Sequence, residues 1–283
     1  ATVNGVAVTQ TATVTVAPTG ASQLVLTGQP SSSGAGAIIT PAVEVSARDP
    51  FNNPVPSFSG NVTVAIGTNP GAGTLSGTTT VAAVAGVATF SNLSIDKSGV
   101  GYTLQATSGT LTAGTSTAFT ITPGVATQLV FTVPPTNTTA GANITPAVQI
   151  AALDALGNTA TGFAGAISVA IGTNPSGGTL SGTTAVAAAG VATFSFLSID
   201  KAGTGYTLSA SATGVGGTTS PSFTVDPGVA SQLFFTGQPT TTTAGATINA
   251  PVQVTARDAF GNTLTGFSGS VTVAIGTNPG GGT

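Results

Sequence analysis

The side chains able to do chemistry are few, and they recur. Asp49, Asp154 and Asp258 stand at equivalent places about 104 residues apart, each beside a turn. Asp96 and Asp200 form a second recurring set, each followed directly by a lysine, Lys97 and Lys201. Carboxylates near chain junctions could bind calcium, which takes six to eight oxygens and usually several carboxylates together. The junctions here carry one Asp (Asp226) in one case and none in the others, so the recurring acids are expected to cap turns through their own backbone. Acid–base hydrolysis needs two acids at a fixed separation. Glu44 is the only Glu, and Gln149 and Gln253 stand at its counterparts, so no acid pair recurs. Lys97 or Lys201 could form an intramolecular isopeptide bond given a buried amine, an Asn and an adjacent acid. The context Asp-Lys-x-Gly reads instead as a solvated turn.

Composition removes most other chemistries. His and Cys are absent, which excludes zinc, haem, iron–sulfur and thiol chemistry as well as disulfide stapling. The segment Gly71-Ala-Gly-Thr-Leu-Ser-Gly77 resembles a phosphate loop only superficially, because no Lys follows and G-x-G-x-x-G is not met. With 4 basic and 7 acidic residues in 283, no basic patch can neutralise phosphates, and nucleic acid is excluded as a partner. The sequence therefore predicts no catalytic, cofactor-binding or metal-binding residues and no cofactor, and the chain is not expected to be an enzyme.

The elements that hold these residues repeat. V-A-I-G-T-N-P occurs at 64–70, 169–175 and 273–279, L-S-I-D-K at 93–97 and 197–201, and G-Y-T-L at 101–104 and 205–208. Self-similarity at a fixed period marks an array. Residues 19–123 and 124–227 form two complete repeats, 228–283 the first half of a third, and 1–18 align with 106–123, the tail of an earlier one. A sandwich cut mid-domain exposes half its core, so the chain is expected to be a window onto a longer array.

Within a repeat the hydrophobic period is two. Val43, Val45 and Ala47 point inward, with Glu44, Ser46 and Arg48 outward, and Val252, Val254 and Ala256 repeat the pattern. Seven strands are predicted in the second repeat, near 127–133, 146–153, 166–172, 183–188, 191–199, 205–211 and 221–225. Seven short strands in about 104 residues match the size of an immunoglobulin-like sandwich, so the fold class is all-β, tandem immunoglobulin-like sandwiches in an extended rod. Tyr102 and Tyr206 each open a late strand after a Gly-rich turn, as in a tyrosine corner; a half-buried strand tyrosine is the plainer alternative.

The repeat resembles the tandem bacterial immunoglobulin-like repeats of secreted surface proteins, including the invasin-like group. The elements that carry the resemblance are P-V-x-V-x-A-x-D-x-F-G-N (251–262, looser at 146–158, where an Ala follows the Pro), G-V-A-T-F (86–90, 190–194) and G-Y-T-L. In the first repeat Asn52 replaces the Gly of that turn and tolerates the same left-handed backbone. The resemblance implies an extracellular stalk, spacer or adhesin and carries no catalytic residues.

Only Pro18-Thr-Gly20, Pro123-Gly124 and Pro227-Gly228 separate consecutive repeats, and links this short with a fixed Pro dihedral leave little freedom. Apolar runs are far shorter than the roughly 18–20 residues of a spanning helix, so no membrane insertion is expected within the segment. Thr9, Thr11, Thr13 and Thr15 could form a flat Thr face, but the other repeats do not keep it. Four N-x-S/T sequons, at Asn61, Asn92, Asn137 and Asn143, do not recur between repeats; a glycosylated surface is compatible with the low charge but otherwise unsupported.

The expectation is a structural segment of a long extracellular or cell-surface repeat protein, stalk or fibre. Its partners would be neighbouring copies of itself, meeting laterally or end to end. The alternative is an adhesin module that recognises glycans or a host protein through sandwich loops. In those loops Phe51, Leu156 and Phe260 are the only repeating apolar residues, and they are expected to pack on the core beneath the turn.

Overall fold

A computed structural model describes residues 2–7, 13 and 15–283. Two compact units divide at Gly124 and Val125. Every regular element among the described residues is a β-strand, because β-branched and small apolar residues alternate with polar ones and Gly, Pro and Asn interrupt them every few positions. The Thr9 and Thr11 part of the threonine row lies outside the described residues.

In the first unit Gln23–Gly28, Val43–Arg48 and Val87–Phe90 form one antiparallel sheet. Facing it are Thr80–Ala82, Asn61–Ile66, Leu104–Thr107 and Gly114–Thr115. A further antiparallel pair, Gly99–Tyr102 with Phe119–Thr122, takes Ser33–Gly34 in parallel on its edge. Two facing sheets, with Ser33–Gly34 crossing over after the first strand to pair in parallel with the last, give the immunoglobulin-like sandwich. The core between them holds Leu24, Val45, Phe90, Ile95, Tyr102, Leu104, Phe119 and Ile121.

The second unit repeats this core with Leu129, Ile150, Phe194, Ile199, Tyr206, Leu208, Phe223 and Val225. Here the two sheets join edge to edge through Val215–Thr219, which touches Gln128 in parallel at Gly216. That strand falls in a segment without a periodic pattern, Val-Gly-Gly-Thr-Thr. Its pairing comes from the neighbouring strand Leu208–Ala212 rather than from its own residues.

Two other expectations need correction. The single strand expected over 191–199 ends at Phe194, and Ser198–Ile199 pairs separately with Leu180–Ser181. Ser46, expected outward, is buried, because it sits on the central strand between Val25 and Val87 of its neighbours. Ala151, between Val130 and Val191, is covered in the same way.

The second unit also contains the opening of the third repeat, where Gln232–Gly237 pairs antiparallel with Gln253–Arg257 in the same register as the first strands of the other two.

Candidate functional site at the joint between consecutive repeats

Each recurring aspartate organises the turn that follows it. One carboxylate oxygen of Asp49 accepts from the N–H groups of Phe51 and Asn53 at 2.9 and 2.8 Å. Asp154 does the same with Leu156 and Asn158, and Asp258 with Phe260 and Asn262, at the same two distances. All three carboxylates are buried. The second oxygen accepts the side-chain amide of the Asn four residues on, and in two cases it also holds the incoming linker: Thr19 N–H donates to Asp49 at 3.1 Å and Gly228 N–H to Asp258 at 2.8 Å. Burial works against ionisation at Asp49 and Asp258. The donated hydrogen bonds, the Asn side chain first among them, outweigh it and keep both below the ordinary carboxylate value.

Asp96 and Asp200 act differently from a self-capped turn. Each reaches across to another loop, accepting the N–H of Thr74 and of Thr179 at 2.6 Å. Among the described residues no three acidic side chains gather to hold an ion.

The tyrosine corner forms in both complete repeats. The Tyr102 hydroxyl donates to the Lys97 carbonyl and the Tyr206 hydroxyl to the Lys201 carbonyl, each at 2.9 Å. A fully buried ring thus anchors the Asp-Lys-x-Gly loop, leaving the Lys201 side chain to point away from its own sandwich.

Within the second unit these pieces meet the third repeat. The Lys201 ammonium donates to the Phe260 carbonyl at 2.6 Å. Asn262 accepts the Ala202 N–H at 3.0 Å and donates to the Asp200 carbonyl at 2.9 Å, closing a two-way pairing between side chain and backbone. The Phe260 ring lies on Gly141, where a Cβ would stand 2.2 Å from a ring carbon. Gly141 has φ +77° and is fixed by its N–H to the Ile199 carbonyl at 2.8 Å. Phe51, Leu156 and Phe260 do not pack beneath their turns as expected: they are 76, 40 and 44% exposed. The Asp-held backbone turns each of them outward, and Phe260 covers the neighbouring repeat.

Beside Phe260 a cleft of about 250 Å³ is lined by Gly141, Thr179, Ser181, Ser198 and Asp200. Asp200 accepts the Thr179 N–H there. The Lys201 amine meets a backbone carbonyl, which has no ammonia to lose. The arrangement can hold surfaces together.

Sequence reasoning singled out the aspartates, the lysines and the tyrosines. It missed Asn262 and Gly141. Both had a signal: Asn closes every copy of the turn (Asn53, Asn158, Asn262), and A-G-A recurs around Gly36, Gly141 and Gly245, all three with positive φ. Ser116 and Ser220 were also missed; each buried hydroxyl accepts a strand N–H, from Leu104 and Leu208, at 2.9 Å.

No family model matches the chain, and no curated protein matches it. Among solved structures, InvD of Yersinia pseudotuberculosis is similar at 20% identity and a TM-score of 0.35, covering 86% of this chain and 71% of that one. Domains 4–9 of the surface layer protein SbsC align at 15% identity and 0.28, covering 91% and 40%. A β-glycosidase from Bacteroides vulgatus aligns at 12% and 0.31, covering 74% and 25%. The chain thus spans well under half the length of the last two.

Proposed function

We propose that this chain is a non-catalytic structural segment of a long extracellular or cell-surface repeat protein, serving as a stalk or an extracellular fibre. Its work is mechanical: sandwiches of one kind are linked in series, and their value lies in number and in the angle each joint sets. The observation that carries this reading is the joint itself. Two hydrogen bonds donated by Lys201 and Asn262, one that Asn262 accepts from Ala202, a ring seated on Gly141, and the Gly228 linker tied to Asp258 converge where Pro227 and Gly228 connect two repeats. A flexible string of binding modules would not need such contacts. The low charge adds to the reading, since neighbouring segments repel little.

Association along the length is favoured over side-to-side pairing. The edge strands Thr80–Ala82 and Thr184–Val186 are three residues long, and the edges Val87–Phe90 and Val191–Phe194 four; edges that short are poor templates for another chain. Electron microscopy of native material tests the proposal. Threads or fibres with an axial period near 40 Å, roughly one sandwich with its loops, are expected. Isolated compact particles, or retention on a glycan array that is lost when the Gly- and Thr-rich loops are replaced, would overturn it.

A further inference from the structure

The first repeat carries the turn that the third repeat uses for docking. The Asp49 turn matches the Asp258 turn bond for bond: the same two N–H donors at 2.9 and 2.8 Å, the same Asn amide on the second oxygen, the same linker N–H. Asn52 holds φ +68° where Gly261 holds +79°, so the replacement leaves the turn unchanged. The difference is in what lies against it. Phe260 rests on Gly141, and Asn262 makes two bonds to the loop 200–202; Phe51 is 76% exposed, and its turn has its internal bonds already made. A rigid turn with an exposed ring and a carboxamide that can bridge a donor and a carbonyl is a preformed half of the same joint.

We propose that the Asp49–Asn53 turn is a docking surface for the A-G-A and Asp-Lys-x-Gly end of another repeat of this kind. The ring of Phe51 would take the glycine corresponding to Gly141, and Asn53 the backbone corresponding to Asp200 and Ala202. The inference rests on the structural-segment reading and names its partner.

The chain contains no Trp, so one introduced residue reports alone. Phe260→Trp in the chain as it stands is the reference, and Phe51→Trp is the probe. The probe is measured in that same chain and in a lengthened one, in which a second copy of residues 124–227 replaces residues 1–18 and leads into Thr19. The reference is expected to emit to the blue of the probe in the unlengthened chain. Lengthening the chain should shift the probe to the blue and reduce its quenching by acrylamide several-fold. Gly141→Asn in the added copy, which suits a positive φ but places a side chain where the ring would sit, should reverse both changes. If the reference is blue-shifted and the lengthened probe stays solvent-like, the docking surface is refuted while the observed joint stands. A blue shift that survives Gly141→Asn refutes it too, since the ring would then be buried elsewhere. A solvent-like reference would remove the joint itself, and with it both proposals.

Discussion

The ring of Phe260 sits so close to the Cα of Gly141, 119 positions earlier in the chain, that any side chain on Gly141 would strike it at 2.2 Å. Substitution of either residue therefore acts through the other. Gly141→Ala is expected to destabilise by about 2–3 kcal/mol, combining left-handed backbone strain with the collision. Phe260→Ala, which uncovers a partly exposed ring, should cost about 1 kcal/mol. The double variant is expected to cost clearly less than the two single costs added together, because the collision is gone and only the strain remains. Urea unfolding of the four proteins measures this. Additivity would show that the ring and the glycine are not energetically coupled.

Much of the sandwich, and little of this joint, could be read from the residues. Alternation at Val43, Val45 and Ala47 marked the core face, and the Gly-rich approach to Tyr206 offered the tyrosine corner beside the plainer reading of a half-buried strand tyrosine. Where the sequence misled, the cause was a neighbour. Phe260 reads as a core residue because an apolar side chain after a turn usually folds back on its own domain, and only the second repeat's Gly141 gives it another surface. Val215–Thr219 falls outside the strands predicted from the sequence because Gly supplies no pattern, and its partner strand Leu208–Ala212 decides its conformation. Ser46 alternates as an outward residue, yet Val25 and Val87 close over it.

The buried carboxyl of Asp258 makes the second unit sensitive to acid. Its native value is depressed, so its contribution to stability is whole above the unfolded-state value of about 3.9 and is lost as pH falls through the lower native one. The same sign holds for Asp49 in the first unit. Asp258→Asn is expected to lower stability at neutral pH and to flatten the acid limb of the unit that contains it. Thermal unfolding followed between neutral pH and about pH 2 would show this; an acid limb as steep as that of the unsubstituted chain would contradict the assignment.

Alkali tests the tyrosine corner. Burial pushes the phenols of Tyr102 and Tyr206 up. Their contribution is therefore complete below about pH 10 and disappears as pH rises through the raised native value. Tyr206→Phe keeps the ring and deletes the bond to the Lys201 carbonyl, at an expected cost of about 1–2 kcal/mol at neutral pH. It should also remove the alkaline loss from the second unit while Tyr102 retains it in the first. Urea transitions at neutral pH and above about pH 10 would separate the two, and an undiminished alkaline loss would mean that another group titrates.

One hairpin carries strain that a single atom can relieve. Ala189 and Gly190 form the two-residue turn between Ala188 and Val191, closed by bonds of 2.9 and 3.1 Å, and both have positive φ, +49° and +82°. A turn of this kind suits Asn-Gly or Gly-Gly, and the alanine pays a left-handed penalty. Ala189→Gly is expected to stabilise by about 0.5–1 kcal/mol, the strain relief exceeding the added freedom of the unfolded chain. At the adjacent position the sign reverses: a Cβ on Gly190 would stand 2.6 Å from the Ala160 carbonyl oxygen, a backbone atom that cannot swing aside. Gly190→Ala should therefore cost about 2 kcal/mol or more. Melting temperatures moving in opposite directions for these two neighbouring substitutions would establish the turn geometry, and a loss of stability in both would refute it.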